Sequence, residues 1–225
     1  MDEEKALGIF WDVSRDEFYF KLDISAGGKK VSKKIDLKPY LGGDTILPLS
    51  KDLPPISLTI RICLSVHAKT HDPLGLVLPV KMIGTLLFRE TLQHVSKTMK
   101  AKGRIPWDTT IDEEFTGKWL DYFKVLNDLN NVRFPRSMKP EDVDDEIDPI
   151  LITFSDGNPD AFGTVAYALW TLLDGTKAVR LIMSKAKISP LQYKGETTRN
   201  ELAGATFAVR VKSWIMENSG IKFGD

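Results

Sequence analysis

ILITFSDGNPDAFGTVAYALW, from Ile150 to Trp170, sets two apolar, β-branched runs on either side of a polar turn. Leu151 to Phe154 predicts one strand and Gly163 to Trp170 a second. The first strand runs almost directly into Asp156. Two readings of that carboxylate are open. Asp-Gly-Asn is a good turn sequence, because Asp and Asn bond local backbone and Gly accepts positive φ. A carboxylate at the end of a buried strand is also well placed to hold a metal ion.

Downstream, Ala178 to Lys187 predicts a third strand, with Val179, Leu181 and Met183 on one side. TTRNELAGATFAVRVKSWIMENSG then predicts a long helix that stops at Gly220, a residue typical of helix ends. Glu201 falls in its opening turn. A strand-end Asp156 and a helix-start Glu201 can be brought side by side. In a dry cleft such a pair repels unless divalent cations neutralise it. Hard oxygen ligands suit Mg²⁺ or Mn²⁺, ions that favour phosphate chemistry. Thr198 and Glu201 also fit a capping box, in which the glutamate merely returns to the first amide of its helix.

The upstream half has a different texture. KALGIFWDVSRDEFYFKLDIS predicts a hairpin turned at SRDE, with Phe18, Phe20, Leu22 and Ile24 on one side. SAGGKKVSKK reads as a flexible basic loop. After Pro54 and Pro55, ISLTIRICLSVHAKT roughly follows a helical repeat, which HDPLGLVLP breaks. A second helix spans Val80 to Met99. Phe115, Trp119, Phe123 and Leu126 form the stripe of a third, with acids at 112–114 favourable in its first turn. FPRSMKPEDVDDEIDP lacks the glycine and closing glutamate of a calcium loop and reads as a solvated linker. The expected organisation is a hairpin and helical region over 1–130, a linker over 131–149, and an α/β unit over 150–225.

Composition narrows the function classes. The chain has 225 residues, 42% of them hydrophobic and 28% charged, and its formal net charge is zero, so no global field draws it to nucleic acid or membrane. Charge is nevertheless segregated: residues 141–148 carry six acids, and residues 177–199 carry six basic residues against Glu196 alone. The single Cys63 rules out an internal disulfide and fits a reducing compartment. Cys63, His67 and His71 share a helical face, but the fourth ligand and the paired spacings of a zinc site are missing. Neither a secretory leader pattern nor an apolar run of spanning length occurs, so an intracellular, cytoplasmic setting without a membrane is expected.

Three segments, FSDGNPDAFGTVAYALW, VRLIMSKAKISPLQ and TTRNELAGATFAVRV, together resemble the ribonuclease H domain of Bel/Pao-type retrotransposon Pol polyproteins. The resemblance rests on Asp156 ahead of Ala161-Phe162-Gly163 and Tyr167, on Lys185-Ala186-Lys187-Ile188-Ser189-Pro190, and on Arg199-Asn200-Glu201-Leu202. Upstream, KALGIFWD is similar to the segment after the reverse-transcriptase palm, and Asp72-Pro73-Leu74-Gly75-Leu76 to the family's thumb or connection region. His71 stands where that family usually has an aromatic residue.

The resemblance implies an α+β hairpin and helical connection region running into a truncated ribonuclease H-like α/β domain. It implies Asp156 and Glu201 as two of four carboxylates that bind two Mg²⁺ or Mn²⁺ ions and cut RNA paired to DNA. Lys185, Lys187 and Arg199 are the expected phosphate contacts, and the partners are the hybrid and the rest of the polyprotein, in the cytoplasm or within retroelement particles. Asp225 lacks the apolar strand that should precede a third ligand and reads as loop. Asp144-Asp145 belongs to the linker and is no polymerase site. With half the ligands missing, the chain as given is expected to turn over hybrid poorly. Two other readings stand beside this one. The chain could be a non-catalytic binding module retained from a retroelement. It could also be an aspartic peptidase, against which SDGN lacks the hydroxyl residue between Asp and Gly.

Overall fold

Alternating apolar residues at the N terminus pair into a small antiparallel sheet in the computed structural model, which describes residues 3–6, 8–26, 35–41, 56–99, 103–193 and 195–224. Strands β1 (Glu3–Ala6), β2 (Ile9–Asp12) and β3 (Glu17–Tyr19) follow one another as the predicted hairpin and one added strand. The turn at SRDE is closed by Asp12, whose carboxylate accepts from the Ser14 and Arg15 amides and the Ser14 hydroxyl. Phe20, Leu22 and Ile24 are buried as the alternation requires, and Phe18 packs on the same core. A two-residue ladder, β4 (Ser25–Ala26) with β5 (Ile35–Asp36), follows. Most of the basic loop, together with Pro54, Pro55 and Asp225, lies outside the described residues.

Three helices cover this sheet. Helix α1 (Ile60–His67) is capped by the Thr59 hydroxyl, which accepts from the Ile62 amide, and α3 (Glu113–Asp128) by Asp112, which accepts from Phe115. Between them α2 (Leu78–Thr98) begins at Leu78 with a proline in its first turn. The Asp72 carboxylate accepts from the Leu76 and Val77 amides, which satisfies donors that the start of α2 leaves open. Trp119, Phe123 and Leu126 of α3 are fully buried, and the Trp119 indole donates to Thr91 of α2 at 2.9 Å. Strand β6 (Arg133–Pro135) then pairs with β3.

The segment expected as a solvated linker is therefore tied down at both ends. Beyond β6, Val143 is buried in a second hydrophobic cluster and bridges Leu172, while Asp144 donates its amide to Thr171. Its acids remain mostly exposed, which is the part of the reading that composition could supply.

The second cluster belongs to an antiparallel sheet of β7 (Ile150–Gly157), β8 (Ala161–Thr171) and β9 (Lys177–Ile188), crossed by α4 (Thr197–Asn218). Asn200, Gly204, Ala208, Val211 and Ile215 form the buried stripe of α4. Gly220, at φ 70°, follows the helix end as predicted. The alternation expected in the third strand fails at one point. Ala166 pairs with Met183 but Tyr167 with Leu181, so Ile182 is an extra residue in a β-bulge. Met183 is thereby turned into the α4 cluster, whereas Val179 stays exposed.

The two bodies meet along α2. The Ser184 amide donates to the Leu74 carbonyl at 2.9 Å, and the Ser184 hydroxyl donates to the Gly75 carbonyl. Gly75 has φ 76°, and a side chain there would collide with the Ser184 backbone. Farther along α2, the buried Arg89 donates to the Asp160 carboxylate at 2.7 Å and to the Ser189 carbonyl at 3.1 Å.

Candidate functional site

Asp156 is not the turn former. It lies inside β7, paired with Gly163, and the turn belongs to Asn158, whose side-chain oxygen accepts from the Asp160 and Ala161 amides at 2.9 and 2.8 Å. The capping-box reading of Glu201 also fails, because α4 starts at Thr197. Thr198 is inside the helix, and the cap position is Glu196, with no side-chain cap bond. Both acids are exposed, and among the described residues neither carboxylate has a hydrogen bond or ion pair. Asn158 thus fills the turn duty, and Glu201 stands outside the capping position.

Backbone packing brings the two positions together. A methyl placed on Gly157 would come within 2.5 Å of the Asn200 carbonyl oxygen and still closer to the Glu201 amide nitrogen. One turn on, a methyl on Gly204 would lie 2.9 Å from the Asp156 carbonyl oxygen. Only hydrogen at both positions lets the end of β7 and the start of α4 approach this closely. The Asn200 amide locks the arrangement by donating to the Asn158 carbonyl at 2.7 Å, with its side chain 2% exposed.

Strand alternation puts Gly157 on the α4 side and Asp156 on the other, at the free edge of β7. There Asp156 lines one end of a cleft of about 600 Å³ between the sheet and α2, whose walls include Leu78, Met82, Phe154 and Tyr167. Asp156 and Glu201 are close in backbone, but strand alternation turns the Asp156 side chain away from α4. Each exposed carboxylate is a hard oxygen donor of the kind that Mg²⁺ or Mn²⁺ accepts. Among the described residues no group of three or more His, Cys, Asp or Glu converges.

The three expected phosphate contacts are all exposed, and each lies over an aromatic ring. Lys187 sits 5.5 Å from the centre of Phe207, Lys185 5.7 Å from Trp214, and Arg199 3.5 Å from Tyr193. Arg199 also lies 3.9 Å from Glu196.

Cys63 and His67 of the candidate zinc face are occupied otherwise. Cys63 is fully buried, and desolvation pushes its thiol up to about 12. Burial, seconded by the Lys81 charge, holds His67 below its ordinary 6.5. Its Nδ1 lies 2.8 Å from the Tyr122 hydroxyl, which burial keeps protonated. Thr85 donates to the Lys81 carbonyl, so His67 Nε2 is the donor to Thr85 at 3.3 Å.

Sequence reasoning offered Asn158 as part of the Asp-Gly-Asn turn, and missed Asn200, Arg89 and Asp160. The one local signal was Gly204, a glycine in the middle of a helix, where it costs stability unless something approaches closely.

A family model described as Pao retrotransposon-like RNaseH-like domain matches residues 59–224, from the cap of α1 through the segment after α4. No curated protein matches the chain.

Proposed function

The chain belongs to the Pao retrotransposon-like RNaseH-like family, and we propose that it works on RNA–DNA hybrids as part of a retroelement Pol polyprotein. In that reading residues 1–130 are a palm-end, thumb and connection-like region of a reverse transcriptase, of which 59–130 also fall within the matched family model, and 150–225 are the N-terminal part of the nuclease domain. One observation carries it. The end of β7 and the start of α4 are pressed together through Gly157 and Gly204, which brings the backbones at Asp156 and Glu201 close, and neither carboxylate has a hydrogen bond or ion pair among the described residues. A divalent metal bound there supplies charge stabilisation and an activated water for phosphodiester hydrolysis. The chain's own residues do the rest: Asp156 and Glu201 donate oxygens, Asn200 and Asn158 fix their spacing, and Lys185, Lys187 and Arg199 attract phosphate.

Among the described residues no group of three or more His, Cys, Asp or Glu converges, and the expected behaviour is hybrid binding and weak metal binding with little turnover. Two-metal cleavage needs both the attacking and the leaving oxygen stabilised, and losing half the ligands costs orders of magnitude in rate. The test is Mn²⁺ binding to the purified chain, followed by water proton relaxation, with a labelled hybrid added in parallel. Asp156→Asn and Glu201→Gln should each abolish Mn²⁺ binding while hybrid binding survives. Mn²⁺ binding indifferent to both substitutions refutes the assignment. Robust cleavage abolished by Asp156→Asn would show that this chain supplies further ligands.

No described helix is long and apolar enough to cross a membrane.

A further inference from the structure

One side of α4 carries an array that the hydrolytic corner does not use. Arg199, Ala203, Phe207, Arg210 and Trp214 recur at spacings of four, four, three and four, so they lie on one face of the helix. The Lys187–Phe207 and Lys185–Trp214 contacts identify that face as the one overhanging β9. Tyr193 under Arg199 extends the row past the start of α4. The row therefore alternates rings and cations: Tyr193 with Arg199, Phe207 with Lys187, Trp214 with Lys185, and Arg210 between. Trp214 is 49% exposed, a large apolar ring left half open to solvent. The acids of α4's surroundings stand outside the row, Glu196 at its start and Glu217 beyond its end.

We propose that this row is a track for a single-stranded nucleic acid, running from Tyr193 along the β9 side of α4, with Trp214 and Phe207 as base platforms and Lys185, Lys187 and Arg210 as phosphate contacts. Rings interleaved with cations are what an unpaired strand requires: every base has a π-face to stack, and every step carries a phosphate. A duplex keeps its bases stacked on one another and offers nothing to half-exposed rings at a surface. The length fits a short strand. From Arg199 to Trp214 the helix rises about 22 Å, at about 1.5 Å per residue. At about 3.4 Å per nucleotide this spans about six nucleotides. The inference deepens the nucleic-acid reading above and rests on it.

The test is fluorescence anisotropy of the full chain with labelled oligothymidylates of 4, 6, 8 and 12 nucleotides, and with an RNA–DNA hybrid, at two salt concentrations. Affinity should rise up to about six nucleotides and then level off. Trp214→Ala should weaken single-strand binding about tenfold, Trp214→Phe much less, and Lys185→Gln with Lys187→Gln should flatten the salt dependence. Circular dichroism of each variant confirms that it is folded. Binding that ignores both length and Trp214→Ala, or that poly-glutamate displaces as well as an oligonucleotide does, overturns the track in favour of an acidic-protein surface or simple charge. Hybrid binding without single-strand binding overturns the track and leaves the hybrid reading intact. Binding of neither removes both.

Discussion

Gly157→Ala is the substitution on which the geometry of the corner most directly depends. The added methyl would sit 2.5 Å from the Asn200 carbonyl oxygen, where an ordinary contact needs 3.4 Å or more, so α4 must retreat by roughly 1 Å. The colliding atoms are backbone, and no side-chain rotation relieves them. Asn200 is also bonded to Asn158, so the retreat strains that lock at the same time. Overpacking of this kind costs about 1–3 kcal/mol, and the rigid neighbours put this site at the upper end. For a chain of this length about 3 kcal/mol corresponds to a fall in Tm of about 6–12 °C. Gly117→Ala is the matched control. It lies in α3 with nothing within 4 Å of the added methyl, and should stabilise by about 0.5–1 kcal/mol through helix propensity alone. Thermal and urea melts of both variants, followed at 222 nm, read the difference. Mn²⁺ binding should fall with Gly157→Ala and stay unchanged with Gly117→Ala. If Gly157→Ala melts within about 0.5 kcal/mol of the parent chain, β7 and α4 do not meet as described, and the case for Asp156 beside Glu201 goes with it.

Arg89→Met should cost about 2–3 kcal/mol in urea, because it removes the guanidinium bonds to the Asp160 carboxylate and the Ser189 carbonyl. The figure falls short of a fully buried pair, since Asp160 is 42% exposed and regains water. For His67 the sign follows from its folded value lying below the ordinary 6.5. Below about pH 6.5 the unfolded chain takes up the proton before the folded one does, so stability falls as the pH drops through that window and is restored above it. Urea melts at pH 7.5 and 5.0 should show a larger acid loss in the parent than in His67→Gln; an equal loss in both would remove His67 as the cause.

Local chemistry alone laid out most of the elements. The alternation of Phe18 to Ile24, the stripe of Phe115, Trp119, Phe123 and Leu126, and the stop at Gly220 each lie within a short window, where a repeat of two or of 3.6 residues is visible. Asp156 and Glu201 could be singled out for the same reason, from the ends of a strand and a helix. Their local alternatives were equally visible, and only the folded chain shows that Asn158 makes the turn and Glu196 stands at the cap. The bulge at Ile182 escaped notice because one extra residue leaves composition unchanged while reversing the side on which Met183 lies. The tie from Arg89 to Asp160 and Ser189 spans 71 and 100 residues. No periodicity announces a pairing of that range, since it exists only once α2 has docked on the sheet. What the sequence determined by itself is which segments become strands and helices and which acids terminate them. Which strand end meets which helix start was decided by packing between distant segments, where a missing methyl on Gly157 and Gly204 matters more than any local preference.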